Sequence, residues 1–120
     1  MSDERSDIGR RGEELAARHL VDHGYTILAR NVTSKIGEID IVAEKDGILC
    51  FVEVRSRSDT NLGHPAQSIN EAKIRKIRRN AEYYLVRHGI RNRPVRFDVA
   101  TVVWNPKERE EEFLYFENAF

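Results

Sequence analysis

The dipeptide Asp46-Gly47, which lies between two runs of alternating apolar residues, constrains the fold of this chain most strongly. Asp-Gly in such a setting is the strongest short-range signal of a β-hairpin with a two-residue turn. A turn that closes between Lys45 and Ile48 fixes the register, because a slip of one residue would exchange the two faces of the hairpin. The sequence therefore predicts a hairpin over residues 37–57.

This register predicts one wholly apolar face and one face that carries charge. The apolar face would consist of Ile39, Ile41, Ala43, Cys50, Val52 and Val54. On the other face Asp40 would stand opposite Glu53, and Glu38 opposite Arg55. Like charges directly opposite each other destabilise an antiparallel pair, and burial would add a desolvation cost. The charged face is therefore either a solvated hairpin surface or a partly buried carboxylate site.

The apolar neighbours of the acid pair favour the second interpretation. Val42, Leu49 and Phe51 share its face, so the two carboxylates are expected to be partly buried. Such a pair must hold a proton or receive a cation. Carboxylate oxygens are the ligands that Mg²⁺ and Mn²⁺ prefer, so the pattern predicts a metal site at Asp40 and Glu53.

An Asp on one strand followed by Glu-x-basic on the next resembles the PD-(D/E)XK nuclease superfamily, which has the restriction-endonuclease-like fold. Over nearly its whole length the chain more narrowly resembles the bacterial YraN family, usually described as Holliday-junction-resolvase-like. The residues that carry this resemblance are Gly12-Glu13, the GEID stretch 37–40, the FVEV stretch 51–54, Lys73, Ala81, the RFD stretch 96–98 and Asn118-Ala119-Phe120.

The resemblance implies a set of catalytic residues, namely Glu13, Asp40, Glu53 and Arg55. Asp40 and Glu53 would bind Mg²⁺ or Mn²⁺ with the backbone carbonyl of Val54 as a third ligand, and Glu13 would lie near the metal. Arg55 stands where the superfamily has Lys. Arginine stays protonated, so it can stabilise phosphate charge but cannot act as a base. The chain is therefore expected to be either an endonuclease or a nucleic-acid-binding module that has lost cleavage.

A long helix is expected from Pro65 to His88, and it concentrates positive charge in a chain with no net charge. Glu82 is the only acid between Lys73 and Arg96. A basic surface of this kind predicts contact with phosphates, although a solvated cationic face is the alternative. The expected nucleic-acid-binding residues are Gln67, Lys73, Lys76, Arg79 and Arg96, with DNA as the expected partner.

The remaining pattern predicts a helix over residues 8–23, a strand over 25–30, and strands over 95–104 and 113–116. The order α-β-β-β-α-β-β indicates one α/β (α+β) domain over residues 1–120, with a mixed sheet flanked by helices and a restriction-endonuclease-like core.

The cellular setting expected from the sequence is the cytoplasm. Cys50 is the single cysteine, no apolar run reaches the length of a membrane span, and the acidic start is unlike a signal peptide. No membrane partner is expected. A homodimer is expected by resemblance, since junction resolvases of this fold cut two strands symmetrically.

A third interpretation of the function is a protein–protein adaptor. It predicts no salt-sensitive binding to nucleic acid.

Overall fold

The computed structural model describes residues 4–57, 69–105 and 107–120, with side chains from residue 10 onward except that of Arg57. The elements are α1 (Glu4–Asp22), β1 (Thr26–Thr33), β2 (Glu38–Lys45), β3 (Ile48–Arg57), α2 (Glu71–Arg87), β4 (Val95–Asn105) and β5 (Glu110–Phe116). This order confirms the predicted one. No helix among these residues is long and apolar enough to cross a membrane.

The strands form one five-stranded sheet in the order β1-β2-β3-β4-β5. All neighbouring pairs are antiparallel except β3 and β4, which are parallel. A parallel pair needs a crossover connection, and α2 lies within it. The mixed sheet with a helix on each face confirms the predicted fold class and is compatible with a restriction-endonuclease-like core.

The hairpin turn has the predicted geometry. Asp46 and Gly47 both have positive φ, 52° and 80°, as a type I′ turn requires. Lys45 pairs with Ile48, and the same register continues to Ile41 and Val52.

Both faces of the hairpin are buried, so the interpretation of its second face as a solvated surface is wrong. The α1 face contains Ala16, Ala17, Leu20, Tyr25, Ile41, Ala43, Cys50, Val52 and Ala100. The α2 face contains Ile39, Val42, Leu49, Phe51, Ala81 and Tyr84. The central strands therefore place any charged residue between two apolar layers.

The prediction that Ile39 shares a face with Ile41 is wrong, because the strands β1 and β2 exchange faces near Asn31. Ile41 packs under α1, whereas Ile39 packs with the cluster under α2. Asn31 has a left-handed φ of 51°, which Asn tolerates better than most residues. This irregularity breaks the simple alternation at Asp40, where the regular pairing of β2 with β3 ends while its pairing with β1 continues to Glu38.

Several element boundaries also differ from those predicted, among them the start of α1 at Glu4 and the start of β5 at Glu110. The long helix begins at Glu71, because Asn70 is extended and its Oδ1 accepts a 2.9 Å hydrogen bond from the Lys73 amide as an N-cap. Pro65, the expected first residue, lies outside the described residues. Strand β1 continues to Thr33, three residues beyond the end of the predicted strand.

Candidate active site

Asp40 is held at the point where the strands β2 and β3 stop pairing regularly. Continuing the register would place Ile39 opposite Val54, but Ile39 has turned to the α2 face. The Val54 N–H therefore bonds to the Asp40 side chain: Asp40 Oδ2 accepts a 2.8 Å hydrogen bond from it. The backbone of β3 therefore fixes the position of this carboxylate.

Glu53 faces Asp40 from β3 and lies between two cations. Its side chain is only 11 % exposed, and Oε1 lies 3.3 Å from Arg55 Nη2 and 3.8 Å from Lys73 Nζ. The two carboxyl groups are close enough to hydrogen-bond each other. The structure thus brings together Asp40, Glu53, Arg55 and Lys73, which the sequence places on three different elements.

The acid pair is electrostatically strained. Burial, and next the charge of Glu53, raise the pKa of Asp40 from 3.8 to about 7. Burial also raises the pKa of Glu53, while Arg55 and Lys73 oppose this rise. At neutral pH the pair therefore shares a proton or needs a positive charge between its members.

Glu13 reaches this region because Gly12 allows α1 to approach β3 closely. A Cβ on Gly12 would lie 2.4 Å from Ser56 Oγ and 3.2 Å from Val54 Cγ1. Burial, and next the charge of Asp40, raise the pKa of Glu13, and its buried Oε1 has no hydrogen-bond partner. All four predicted catalytic residues therefore lie in one region.

The donor set fits a hard divalent cation. Mg²⁺ is commonly held by one or two carboxylates and keeps several waters, which matches the pair Asp40 and Glu53. Within the described part of the chain, no group of three or more His, Cys, Asp or Glu side chains is arranged to hold a metal ion. Further ligands would have to come from the backbone, where Val54 is the predicted donor, or from water.

Two of the predicted phosphate-binding residues line a cationic groove beside the acid pair. This groove, of about 420 Å³, is lined by Lys35, Ile36, Ala72, Arg75, Lys76 and Arg79. It combines the β1–β2 turn with the exposed side of α2. Lys73 lies one turn before Lys76, next to Glu53. Gln67 lies outside the described residues.

The prediction that Arg96 belongs to this basic surface is wrong. Arg96 pairs with Cys50, whose side chain lies under α1, on the opposite face of the sheet from α2. Its guanidinium donates two hydrogen bonds to Asp98, of 2.9 and 2.8 Å, and a third to the Tyr25 hydroxyl. These contacts hold Arg96 in a partly buried polar network on the α1 face of the sheet.

Sequence reasoning assigned no role to two buried polar residues. Asn80 is 4 % exposed and accepts a 3.1 Å hydrogen bond from Ser34 Oγ, which ties the β1–β2 turn to α2. Asp98 is fully buried and also accepts hydrogen bonds from the Tyr115 hydroxyl and the Asn118 amide. The sequence signal for Asp98 was its i+2 spacing from Arg96, which places both on one side of a strand.

The family model and the curated relatives that match this chain all point to the same family. The model of the family described as "Uncharacterised protein family UPF0102" matches residues 12–102, which carry every described residue of the candidate site. A UPF0102 protein from Persephonella marina is 42% identical over 112 residues, which is 93% of this chain and 91% of the relative. One from Caldicellulosiruptor saccharolyticus is 38% identical over 116 residues, 97% of this chain and 98% of the relative.

A third relative, a UPF0102 protein from Myxococcus xanthus, is 46% identical over 100 residues, which is 83% of this chain and 79% of the relative. The match therefore extends over almost the whole chain in several relatives and includes both helices. This chain belongs to the UPF0102 (YraN) family, which is part of the restriction-endonuclease-like superfamily.

Proposed function

We propose that this protein is a Mg²⁺- or Mn²⁺-dependent phosphodiesterase, an endonuclease that acts on nucleic acid, with branched DNA as the expected substrate. The observation that supports this most strongly is the buried pair Asp40 and Glu53. A protein that needs only stability has little reason to bury two carboxylates side by side, because their desolvation and repulsion destabilise the fold. Perturbed carboxyls of this kind are typical of functional sites.

Asp40, Glu53 and the Val54 carbonyl would hold the metal. When bound, the ion would polarise a phosphate oxygen and lower the pKa of a coordinated water. Arg55 and Lys73 would stabilise the negative charge that develops on the phosphate. Glu13, with its unpartnered Oε1, would orient water near Asp40. Lys76 and Arg79 would bind the phosphate backbone without reading its sequence.

A second candidate function is a nucleic-acid-binding module that does not cleave. The observation that favours it is the 3.3 Å contact between Arg55 Nη2 and Glu53 Oε1. A permanent cation at this position offsets part of the charge that would otherwise attract a metal ion. Because Arg cannot accept a proton, a variant with Lys would regain the functional group typical of the superfamily.

The cleavage experiment distinguishes the two. Labelled four-way junction, flap, duplex and single-stranded DNA would be incubated in Mn²⁺ and in Mg²⁺ with wild type, Asp40→Asn and Arg55→Lys, and binding would be followed on the same samples. The endonuclease proposal expects cleavage by wild type that is lost in Asp40→Asn. Binding without cleavage, with cleavage gained in Arg55→Lys, would favour the second function. Cleavage that persists in Asp40→Asn would contradict both.

Action as a homodimer in the cytoplasm forms part of this proposal. Symmetric cutting of a branched substrate needs two sites, and a two-fold dimer supplies them. The buried free thiol of Cys50 suits a reducing compartment. Size-exclusion chromatography with light scattering, in the presence and absence of a four-way junction, would test the dimer.

A further inference from the structure

We propose that the cleft between α2 and the β1–β2 turn binds a single-stranded segment of nucleic acid, with one unstacked base against Tyr83. This inference rests on the proposed function and names the form of substrate that the site receives. The cleft has two parts: the cationic groove described above, and an adjoining pocket lined by Thr33, Ser34, Asn80, Tyr83 and Arg87, among others.

The cationic groove contains exposed positive charges that have no acidic partner among the described residues. Lys35, Arg75, Lys76 and Arg79 are all exposed. Among the described residues none of these four forms an ion pair with an acid, in contrast to Arg30, which pairs with Glu14. A row of unpaired cations in a groove is the usual means by which proteins follow the backbone of a single strand.

The adjoining pocket offers a flat aromatic surface. Its volume is about 210 Å³, below the 300–1,000 Å³ of pockets for drug-sized ligands, so it suits a single ring system. The Tyr83 side chain is 41 % exposed and forms no ring stack with another described aromatic residue. Every base has a π-face, so stacking on tyrosine binds single strands with little sequence preference, and Arg87 adds a cation at the same pocket.

The walls of the cleft are fixed before any ligand arrives. Ser34 Oγ donates a hydrogen bond to Asn80 Oδ1, and the Ser34 amide donates to the Gly37 carbonyl at 2.8 Å. A Cβ on Gly37 would lie 3.3 Å from Lys76 Cε, so the Lys76 side chain lies against the turn. A duplex buries the faces of its bases by stacking, whereas an unpaired base can enter such a cleft.

The cleft leads toward the acid pair. Lys73, Lys76, Asn80 and Tyr83 follow one another at intervals of three or four residues, so they lie along one side of α2. Lys73 lies 3.8 Å from Glu53, and Tyr83 is about 15 Å further along the helix axis at 1.5 Å per residue. A strand anchored at Tyr83 would therefore run along the groove toward Asp40 and Glu53.

Fluorescence anisotropy on the full chain tests this inference, with labelled oligothymidine and a duplex of the same length in metal-free buffer over a range of salt concentrations. The single strand is expected to bind more tightly than the duplex. Tyr83→Ala is expected to weaken single-strand binding by about 5- to 100-fold, and Tyr83→Phe to retain it, since stacking needs only the ring. Val86→Ala, three residues further along α2 and 77 % exposed in the wild type, is the matched control and is expected to bind like wild type.

A second comparison tests the phosphate contacts. Arg79→Ala is expected to reduce the slope of log affinity against log salt by about 0.7 for a single strand, whereas Arg18→Ala, on α1 across the sheet, leaves the slope unchanged. Circular dichroism melting of each variant verifies folding. Equal binding of duplex and single strand, or unchanged single-strand binding by Tyr83→Ala, would overturn the proposal that the cleft binds a single strand. Neither result would contradict the nuclease proposal. Absence of binding to either nucleic acid would overturn both.

Discussion

Replacing Asp40 by Asn is expected to stabilise the metal-free protein at alkaline pH, although it removes a residue of the candidate active site. Folding raises the pKa of this carboxyl from 3.8 to about 7, chiefly by burial and next by the charge of Glu53. Between these pH values the folded state binds more protons than the unfolded chain. Its stability therefore falls as the pH rises through this window.

The size of the effect follows from the same pKa change. Each tenfold change in proton affinity corresponds to about 1.4 kcal/mol, so ionised Asp40 costs on the order of 4 kcal/mol above pH 7. Asn is uncharged at every pH, and its Oδ1 can still accept the hydrogen bond from the Val54 amide. Asp40→Asn is therefore expected to increase the free energy of unfolding by about 2–4 kcal/mol at pH 8 and by less than about 1 kcal/mol at pH 4.

Urea unfolding followed by far-ultraviolet circular dichroism, in buffer with a chelator at both pH values, measures this difference. Asp22→Asn is the matched control: Asp22 is exposed at the end of α1, and its loss is expected to change stability by no more than about 0.5 kcal/mol. A loss of stability in Asp40→Asn at pH 8, or an equal gain at both pH values, would show that ionised Asp40 does not destabilise the fold. Glu53→Gln is expected to gain less stability at pH 8 than Asp40→Asn, because it leaves Arg55 and Lys73 without their acidic partner.

Two further predictions concern the scaffold, namely the approach of α1 to β3 and the Arg96–Asp98 pair. Gly12→Ala is expected to destabilise the fold by about 1–3 kcal/mol, because the new Cβ would overlap Ser56 Oγ. Adding Ser56→Ala to this variant is expected to restore part of the lost stability. Urea unfolding measures both changes. Asp98→Asn is expected to lower the free energy of unfolding by about 3 kcal/mol, because the partly buried guanidinium of Arg96 would lose its carboxylate partner. A drop in melting temperature smaller than that of an exposed Glu112→Gln control would contradict the role of Asp98.

The parts of the structure that local chemistry determines could be predicted from the sequence. The Asp46-Gly47 turn and the hairpin register depend on two residues and an alternating pattern, and both are confirmed. The register in turn predicted that Asp40 and Glu53 face each other. The order of elements followed from helical and strand periodicity, since each segment buries one stripe or face.

The predictions that were wrong concern features that depend on contacts between distant segments. The turn of Ile39 to the α2 face follows from the left-handed Asn31 on a neighbouring strand, which no pattern within β2 indicates. Arg96 looked like a continuation of the basic helix, but the face of β4 on which it lies is set by pairing with β3. The approach of Lys73 to Glu53 depends on how α2 docks on the sheet, and spacing in the sequence carries no information on docking.

The assignment of Asp40 and Glu53 as a metal site is best tested by calorimetric titration of Mn²⁺ into wild type and Asp40→Asn at pH 6.0, in two buffers of different ionisation enthalpy. Wild type is expected to bind one metal ion and release protons, because the pair retains a proton at this pH and metal ligands must be deprotonated. Asp40→Asn, folded and more stable without metal, is expected to show no such binding. Equal binding by both proteins, or binding by wild type without any proton release, would contradict the assignment of Asp40 and Glu53 as the metal site.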